Sequence, residues 1–342
     1  MTTIAIVGQG YMARTHAASW AKLGFAENIK YIQTPRPGEP LEHAPSATFV
    51  TDLDAVLADP EVDVISICSP TDSHPEIAIR ALRAGKNVLL EKPIALTISD
   101  ALKIRDAARD SGAIMMIAQV IRFFKGYQLL RDDVRDGHLG TVLSVRGSRL
   151  SNRPDWAKWW HDEERSGGVV VDFSIHDYDQ LNLFLGEPVA VSAVSVSTLG
   201  PIETTVEYRG GGVGQVLSFA DTAQGVPFTS SIEALGTKGM AGYDFAAAAP
   251  TAGASGVNVY SRSGVNGSES REIEGDDPYT AQVEYFLDCI RHTRQPGLST
   301  TESAIRALEV SLAARQSIAT GRRITIESCV ADADAAGTVF AP

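Results

Sequence analysis

From Ile4 to about Gln119 the chain alternates short β-branched runs with longer helical stretches, and this alternation leaves few architectures open. The runs are Ile4 to Val7, Ile29 to Gln33, Val62 to Cys68, Val88 to Leu90 and Ile114 to Ala118. Between them lie helical patterns at Ala13 to Leu23, Leu53 to Ala58, Pro75 to Ala84 and Ser99 to Ser111, the last two ending in Ala-Gly and Ser-Gly stops. Strands separated by helices pair in parallel, so a doubly wound α/β sheet is expected here.

Beyond a helix at Lys125 to Arg135, stopped by Asp136-Gly137, the texture changes. A strand at Thr141 to Arg149, a Trp-rich loop and a helix at Val169 to Phe184 precede strand-like runs at Val189 to Val196, Thr204 to Tyr208, Val213 to Phe219 and Thr229 to Ala234. Glycine turns such as Gly210-Gly211-Gly212 separate these runs, as in an open, mostly antiparallel sheet. Helical patterns at Tyr279 to Arg291 and Thr301 to Ala319 close the chain, while Ala246 to Gly256 and the tail after Glu327 each read as loop or frayed terminus. The expected division is therefore 1–122, a parallel α/β domain, and 123–342, an α+β domain. At 342 residues, two cores are the natural arrangement.

Composition narrows the partners. Thirty basic against forty-two acidic residues give a net charge of −12, a field that repels phosphate backbones, so no nucleic acid is expected. No apolar run approaches bilayer length, and no membrane partner is expected. Cys68, Cys289 and Cys329 are scattered and odd in number, and Met1 runs directly into a strand and turn ending at Gly8; both features suit a reduced, cytoplasmic protein.

The turn after the first run is Gly8-Gln9-Gly10-Tyr11-Met12-Ala13. Set between a strand and a helix, Gly8 can make the tight turn, Gly10 can let the backbone approach a pyrophosphate, and Ala13 can bring helix and strand together. This is the dinucleotide-binding pattern of a Rossmann domain. The second run ends in Gln33-Thr34-Pro35-Arg36, with no carboxylate to meet an adenosine ribose. Arg36 is either the partner of a 2′-phosphate or a solvated loop charge; the local chemistry around Thr34 and Arg36 leans to NADP or dual use, with NAD left open.

Two further segments carry chemistry: Asn87-Val88-Leu89-Leu90-Glu91-Lys92-Pro93, and Ser166-Gly167-Gly168-Val169-Val170-Val171-Asp172-Phe173-Ser174-Ile175-His176-Asp177-Tyr178-Asp179. With the glycine turn, these resemble the Gfo/Idh/MocA family, named for glucose-fructose oxidoreductase and inositol dehydrogenase, over essentially the whole chain. On a helix, Asp172, His176 and Asp179 stand at i, i+4 and i+7, a polar stripe amid apolar neighbours that needs partners. Oxidation of an alcohol requires a base, and His176 suits it, with Asp172 orienting the ring. Lys92 supplies a cation for the reacting oxygen. The resemblance implies the same roles for Lys92, Asp172 and His176, acting on one substrate carbon. Asp172 and His176 could otherwise be a structural pair or half of a metal site, but no third ligand lies near, and no metal is expected.

The resemblance also puts Ser69, Thr71 and His74 beside the cofactor with Glu91 and Lys92, although His74 could equally start a helix. Arg122 is substrate-facing by resemblance or a plain salt bridge. Asp155 and Trp156 open an aromatic stretch (Asp155-Trp156-Ala157-Lys158-Trp159-Trp160-His161) suited to sugar faces, core packing or a subunit contact. His16 reads as a satisfied histidine under the first helix. The expected activity is hydride exchange between a nicotinamide and a secondary hydroxyl of a cyclic polyol or sugar, inositol being the nearest comparison. A ligand sensor without catalysis and an NAD-using glycosidase are the alternatives. An open face on the second sheet calls for a homodimer or homotetramer.

Overall fold

The structure, a computed structural model, describes residues 2–154, 158–248, 256–265 and 267–330. The chain divides into two units, Met1–Phe123 with Asp277–Ile305, and Phe124–Asp276 with Arg306–Pro342.

The first unit begins β1 (Ile4–Val7), α1 (Tyr11–Lys22), β2 (Ile29–Gln33), β3 (Thr48–Val50), α2 (Leu53–Ala58), β4 (Val64–Ile67), α3 (His74–Arg83), β5 (Asn87–Glu91), α4 (Ile98–Ser111) and β6 (Met115–Ala118). Its six strands pair in parallel in the order β3-β2-β1-β4-β5-β6. The order reverses between β1 and β4, so the carboxyl ends of those strands flank the crevice where sheets of this kind take ligands. Strands β1 and β4 are buried throughout, as sheets covered on both faces require.

The second unit starts with α5 (Lys125–Arg135), β7 (Val142–Leu150), α6 (Glu163–Ser166) and α7 (Ile175–Leu185). It continues through β8 (Pro188–Ser195), β9 (Ile202–Tyr208), β10 (Val213–Phe219), β11 (Thr229–Gly236), β12 (Gly239–Ala246), β13 (Val257–Gly264) and β14 (Gly267–Glu272). Two helices, α8 (Pro278–Arg291) and α9 (Thr301–Thr320), and β15 (Ile324–Thr325) follow. The nine strands run β14-β13-β12-β11-β7-β10-β9-β8-β15, antiparallel except for the β7–β10 pair.

Four expectations need correction. Helix α8 belongs with the first unit, packing on α1 and adding Val283, Phe286, Leu287 and Cys289 to the core of Ile4, Ile6, Ala13 and Trp20; an apolar stripe does not say which sheet it returns to. The second sheet is longer than the late runs suggest: β12, β13, β14 and β15 were not among them, and β14 (Gly-Ser-Glu-Ser-Arg-Glu) is exposed throughout and shows no apolar alternation. The expected helix from Val169 is two pieces, a π turn at Val169–Phe173 and then α7. Strand β3, short and with no buried residue, was not among the expected runs. Residues 328–330 are loop, as read, with Glu309 accepting from Ser328 Oγ (2.9 Å) and Cys329 N–H (2.8 Å). Most of the glycine-rich stretch, residues 249–255, lies outside the described residues.

Helix α7 is fixed to its sheet by polar pairs. Arg149 of β7 donates from Nε (2.8 Å) and an Nη (2.9 Å) to the two oxygens of Asp177, both side chains buried, with Phe173 and Phe228 flanking the guanidinium. Tyr178 bonds Thr204 (2.8 Å), and Tyr208 donates to Asn182 (2.9 Å). Removing one member of a buried bidentate pair leaves the other charge unmatched, so Asp177→Ala is expected to destabilise the second unit by about 3–5 kcal/mol. Urea unfolding followed by tryptophan fluorescence checks this; a loss below about 1 kcal/mol contradicts it.

Candidate active site

The candidate residues fall in both units, and each set is built from its own elements. In the first unit, β1 leads into Gly8, whose N–H reaches the Gln33 carbonyl (2.8 Å) and whose φ of +109° lies where side chains are strained. A Cβ there would stand 2.7 Å from the Cys68 carbonyl oxygen, so glycine is what lets β1 and the end of β4 close on each other. Gly10 differs: it caps α1 in extended backbone (φ −73°), and a Cβ there would meet no protein atom within 4 Å. The first turn of α1 has no acidic residue and no side-chain cap, so its amides suit an anion. Ala13 is fully buried, Met12 half-buried and Tyr11 57% exposed. An extended phosphate fits a turn of this shape, and the residues present suit a dinucleotide.

The side chain of Gln9, which sequence reasoning passed over, clips the loop after β2 onto this turn. It donates to the Arg36 carbonyl (2.8 Å) and accepts from Gly38 N–H (2.9 Å). Gln33 turns away to the Thr51 carbonyl (3.0 Å), Thr34 is buried with Oγ1 3.5 Å from the Arg36 amide, and the Arg36 side chain is exposed. The strand end therefore presents hydroxyl and guanidinium rather than carboxylate.

After β4, Ser69 bonds Ser73 (2.7 Å) and Thr71 is buried. His74 is also buried, with Nδ1 2.8 Å from the Pro93 carbonyl and Nε2 3.0 Å from the Ser69 carbonyl. Burial depresses its pKa, so the neutral ring has one N–H for two acceptors. At the end of β5, Glu91 is buried, and its carboxylate faces His16 Nε2 (2.9 Å) while accepting the Lys92 amide (3.2 Å). His16 Nδ1 reaches Ser66 Oγ (2.7 Å). Burial acts to lower the His16 pKa, but the Cys68 sulfur and the Glu91 carboxylate outweigh it and raise the group to about 10. With its pKa so raised, the sealed His16 ring can carry a proton on each nitrogen and donate to both Glu91 and Ser66. Its sequence signal was a histidine on the otherwise apolar stripe Ala13, Ala17, Trp20. Lys92 itself is half-buried. Arg122 is buried and donates to the Leu298 carbonyl (2.7 Å).

In the second unit, Asp172 sits in the π turn, buried, and accepts from Trp160 Nε1 at 2.7 Å. The turn is held open by Ser174: its N–H (2.9 Å) and Oγ (3.0 Å) both reach the Val169 carbonyl, and Oγ also bonds Ser218 of β10 (2.8 Å). Such widened turns cluster at functional sites. His176 is half-buried at the start of α7, and Asp179 is buried further along. Trp160 was visible only as part of an aromatic loop, and Ser174 carried no signal. Asp155 and Trp156 lie outside the described residues. No group of three or more possible metal-binding side chains occurs among the described residues, and no described helix is long and apolar enough to cross a membrane.

Two outcomes follow from this geometry. Gly8→Ala is expected to cost about 2 kcal/mol or more through strain and the Cys68 clash. Gly10→Ala should cost about 1 kcal/mol or less yet weaken dinucleotide binding about tenfold or more, because its methyl stands where a phosphate approaches. Urea unfolding and dinucleotide titration separate the two, and equal dinucleotide affinity in Gly10→Ala would overturn the assignment. The second outcome concerns pH. The folded-state pKa of His16 is raised above its ordinary 6.5, so its contribution is complete below about pH 6.5 and is lost as pH rises toward 10. The melting temperature of the parent should fall more steeply over that window than that of His16→Gln; parallel curves would contradict the charged state.

Comparison with known proteins agrees with this geometry. Residues 2–119 match the family model described as the oxidoreductase family with NAD-binding Rossmann fold, and residues 127–242 match the GFO/IDH/MocA C-terminal domain. The chain is 29% identical to 1,5-anhydro-D-fructose reductase of Ensifer adhaerens over 82% of this chain and 84% of the relative. It is 25% identical to scyllo-inositol 2-dehydrogenase (NAD(+)) of Bacillus subtilis, covering 80% of each. The solved levoglucosan dehydrogenase in complex with NADH shares the fold, with TM-score 0.81 at 20% identity over 95% of this chain and 99% of that one. The chain belongs to the Gfo/Idh/MocA family and is an oxidoreductase built on its NAD-binding Rossmann fold.

Proposed function

We propose that the protein oxidises, reversibly, a secondary hydroxyl of a cyclic polyol or sugar, with Lys92, Asp172 and His176 as its catalytic residues. One observation carries the reading. Lys92 leaves the carboxyl end of β5 in the same parallel sheet whose β1 leads into a turn shaped for phosphate, and a buried carboxylate and a buried proline flank it. The names of the relatives, which act on inositols and anhydro-sugars, support the substrate class.

The dinucleotide would be held by Gly8, Gly10, Tyr11, Met12 and Ala13 at its phosphates. Thr34 and Arg36 would take the adenosine side, and Ser69, Thr71, Glu91 and Lys92 the other end. When bound, its nicotinamide supplies the hydride acceptor. The remaining work belongs to the chain. The Lys92 ammonium holds the reacting oxygen and stabilises its developing charge, a contribution of several kcal/mol in a dry site. His176 accepts the hydroxyl proton, a role a histidine fills near neutrality. Asp172, oriented by Trp160, steadies the imidazolium that results. Arg36 and the absence of a strand-end carboxylate favour NADP or dual use. Arg122, Asp155 and Trp156 remain candidates for substrate contact.

Helices cover one face of the second sheet, whereas Val194, Val213 and Met240 are exposed on strands of the other, which supports a homodimer or homotetramer. A cytoplasmic location follows from the reduced-thiol composition.

The test mixes purified protein with NAD or NADP and a panel of inositols, anhydro-sugars, aldoses and sugar acids, and follows the absorbance of reduced nicotinamide. Net reduction is expected with at least one cyclic polyol. Lys92→Met should lower kcat/KM by about 10²–10³-fold and His176→Ala by about 10²–10⁴-fold. Full turnover in both variants overturns the mechanism, and a kcat/KM ratio favouring NAD overturns the cofactor preference. Hydrolysis with no net reduction would point to a glycosidase, and binding without turnover to a sensor.

A further inference from the structure

We infer that His16 and His74 are positioning residues for Lys92, gripping the Glu91-Lys92-Pro93 turn from its two ends through one ring nitrogen each. The inference rests on the reading of Lys92 as a catalytic residue. The two imidazoles come from different elements, α1 and the start of α3, and both ring nitrogens of each face protein atoms, so neither offers a ring nitrogen to a ligand.

Each histidine sets one ring nitrogen against the turn and the other against the end of β4. His16 takes Glu91 Oε1 with Nε2 (2.9 Å) and Ser66 with Nδ1 (2.7 Å). The second oxygen of Glu91 carries the grip onward, to the amide of Lys92 at 3.2 Å. The single N–H of neutral His74 serves the nearer acceptor, donating from Nδ1 to the Pro93 carbonyl (2.8 Å), while Nε2 lies 3.0 Å from the Ser69 carbonyl. The residues on either side of Lys92 are thereby immobilised by groups anchored on the ends of neighbouring β4. Glu91 is a buried carboxylate and Pro93 a buried residue whose carbonyl His74 meets, so without these bonds each group would need another partner or a backbone shift. A displacement of about 1 Å at a catalytic group costs about 10²-fold in rate, which is the scale on which such a brace acts.

The arrangement permits a test in which each histidine is its own control. An asparagine amide occupies the place of Nδ1, and a glutamine amide that of Nε2. His16→Gln and His74→Asn therefore keep the bond to the turn, whereas His16→Asn and His74→Gln place the amide only at the end of β4. The two sites demand opposite isosteres. A role confined to general folding would rank the variants by melting temperature and not by which nitrogen is replaced.

The full chain and its four variants are treated with acetic anhydride, and acylation of Lys92 is read by peptide mass spectrometry; NADH titration and turnover of the polyol best used in the panel run in parallel. Lys92 should acylate about fivefold or more faster in His16→Asn and His74→Gln than in their isosteric counterparts, with kcat about tenfold lower and substrate KM within about threefold. Equal acylation in all four variants overturns the inference, as does a loss that follows melting temperature alone. If the acylation pattern holds while Lys92→Met keeps full turnover, the grip stands and the catalytic reading of Lys92 falls. If Lys92→Met is inactive and all four histidine variants retain parental kcat, the reverse is true.

Discussion

A carboxylate sealed from water must be met by donors or lose its charge, and Glu91 at the end of β5 imposes that requirement on the first unit. The donors come from His16 on α1 and from the main chain of Lys92. His16, buried in its turn, leans on Ser66 of β4. One buried charge thus ties a helix to two strands at the point where the sheet order reverses. The same helix presents its first turn, after Gly10, to the crevice. Its rotation is consequently keyed to Glu91 one turn further in, so the amides suited to phosphate and the strand end that carries Lys92 are set by a common bond. A wholly apolar α1 would pack on the sheet without that register.

The sequence made the alternation of the first unit legible because parallel strands buried on both faces must be apolar and crossover helices must have stops. Strands β1 and β2 and helix α2 are as read and the other expected elements shift by a residue or two, but β3, three residues with none buried, left no apolar run to read. The chemistry-bearing segments were legible for a related reason: glycine, lysine and histidine stood where pattern alone would place something apolar or nothing special. What sequence could not convey was partnership at a distance. Helix α8 has an apolar stripe that would suit either sheet, and only the fold assigns it to α1. Strand β14 has no alternation because it forms an edge wet on both faces. Trp160 is one of several indoles in its stretch until Asp172 is brought 2.7 Å from its ring nitrogen. His16 could be read as satisfied, but not by what.

The second unit solves the analogous positioning problem by different means. Along α7, Asp177, Tyr178 and Asn182 take partners on β7 and β9, and Gly147 of β7 lies opposite the Asp177 Cβ, leaving room for the helix to approach. Apolar packing tolerates sliding, whereas three directional bonds at separate points on two strands admit one register. His176, beside Asp177, inherits that register. Asp172 does not, because the π turn intervenes: Ser174 ties the turn to Val169 and to Ser218 of β10, and the carboxylate is aimed by Trp160 instead. A continuous helix would have locked the two side chains into fixed phase. The wide turn separates them into two independently aimed groups, so the direction of the carboxylate can follow the aromatic loop without disturbing the anchoring of the histidine.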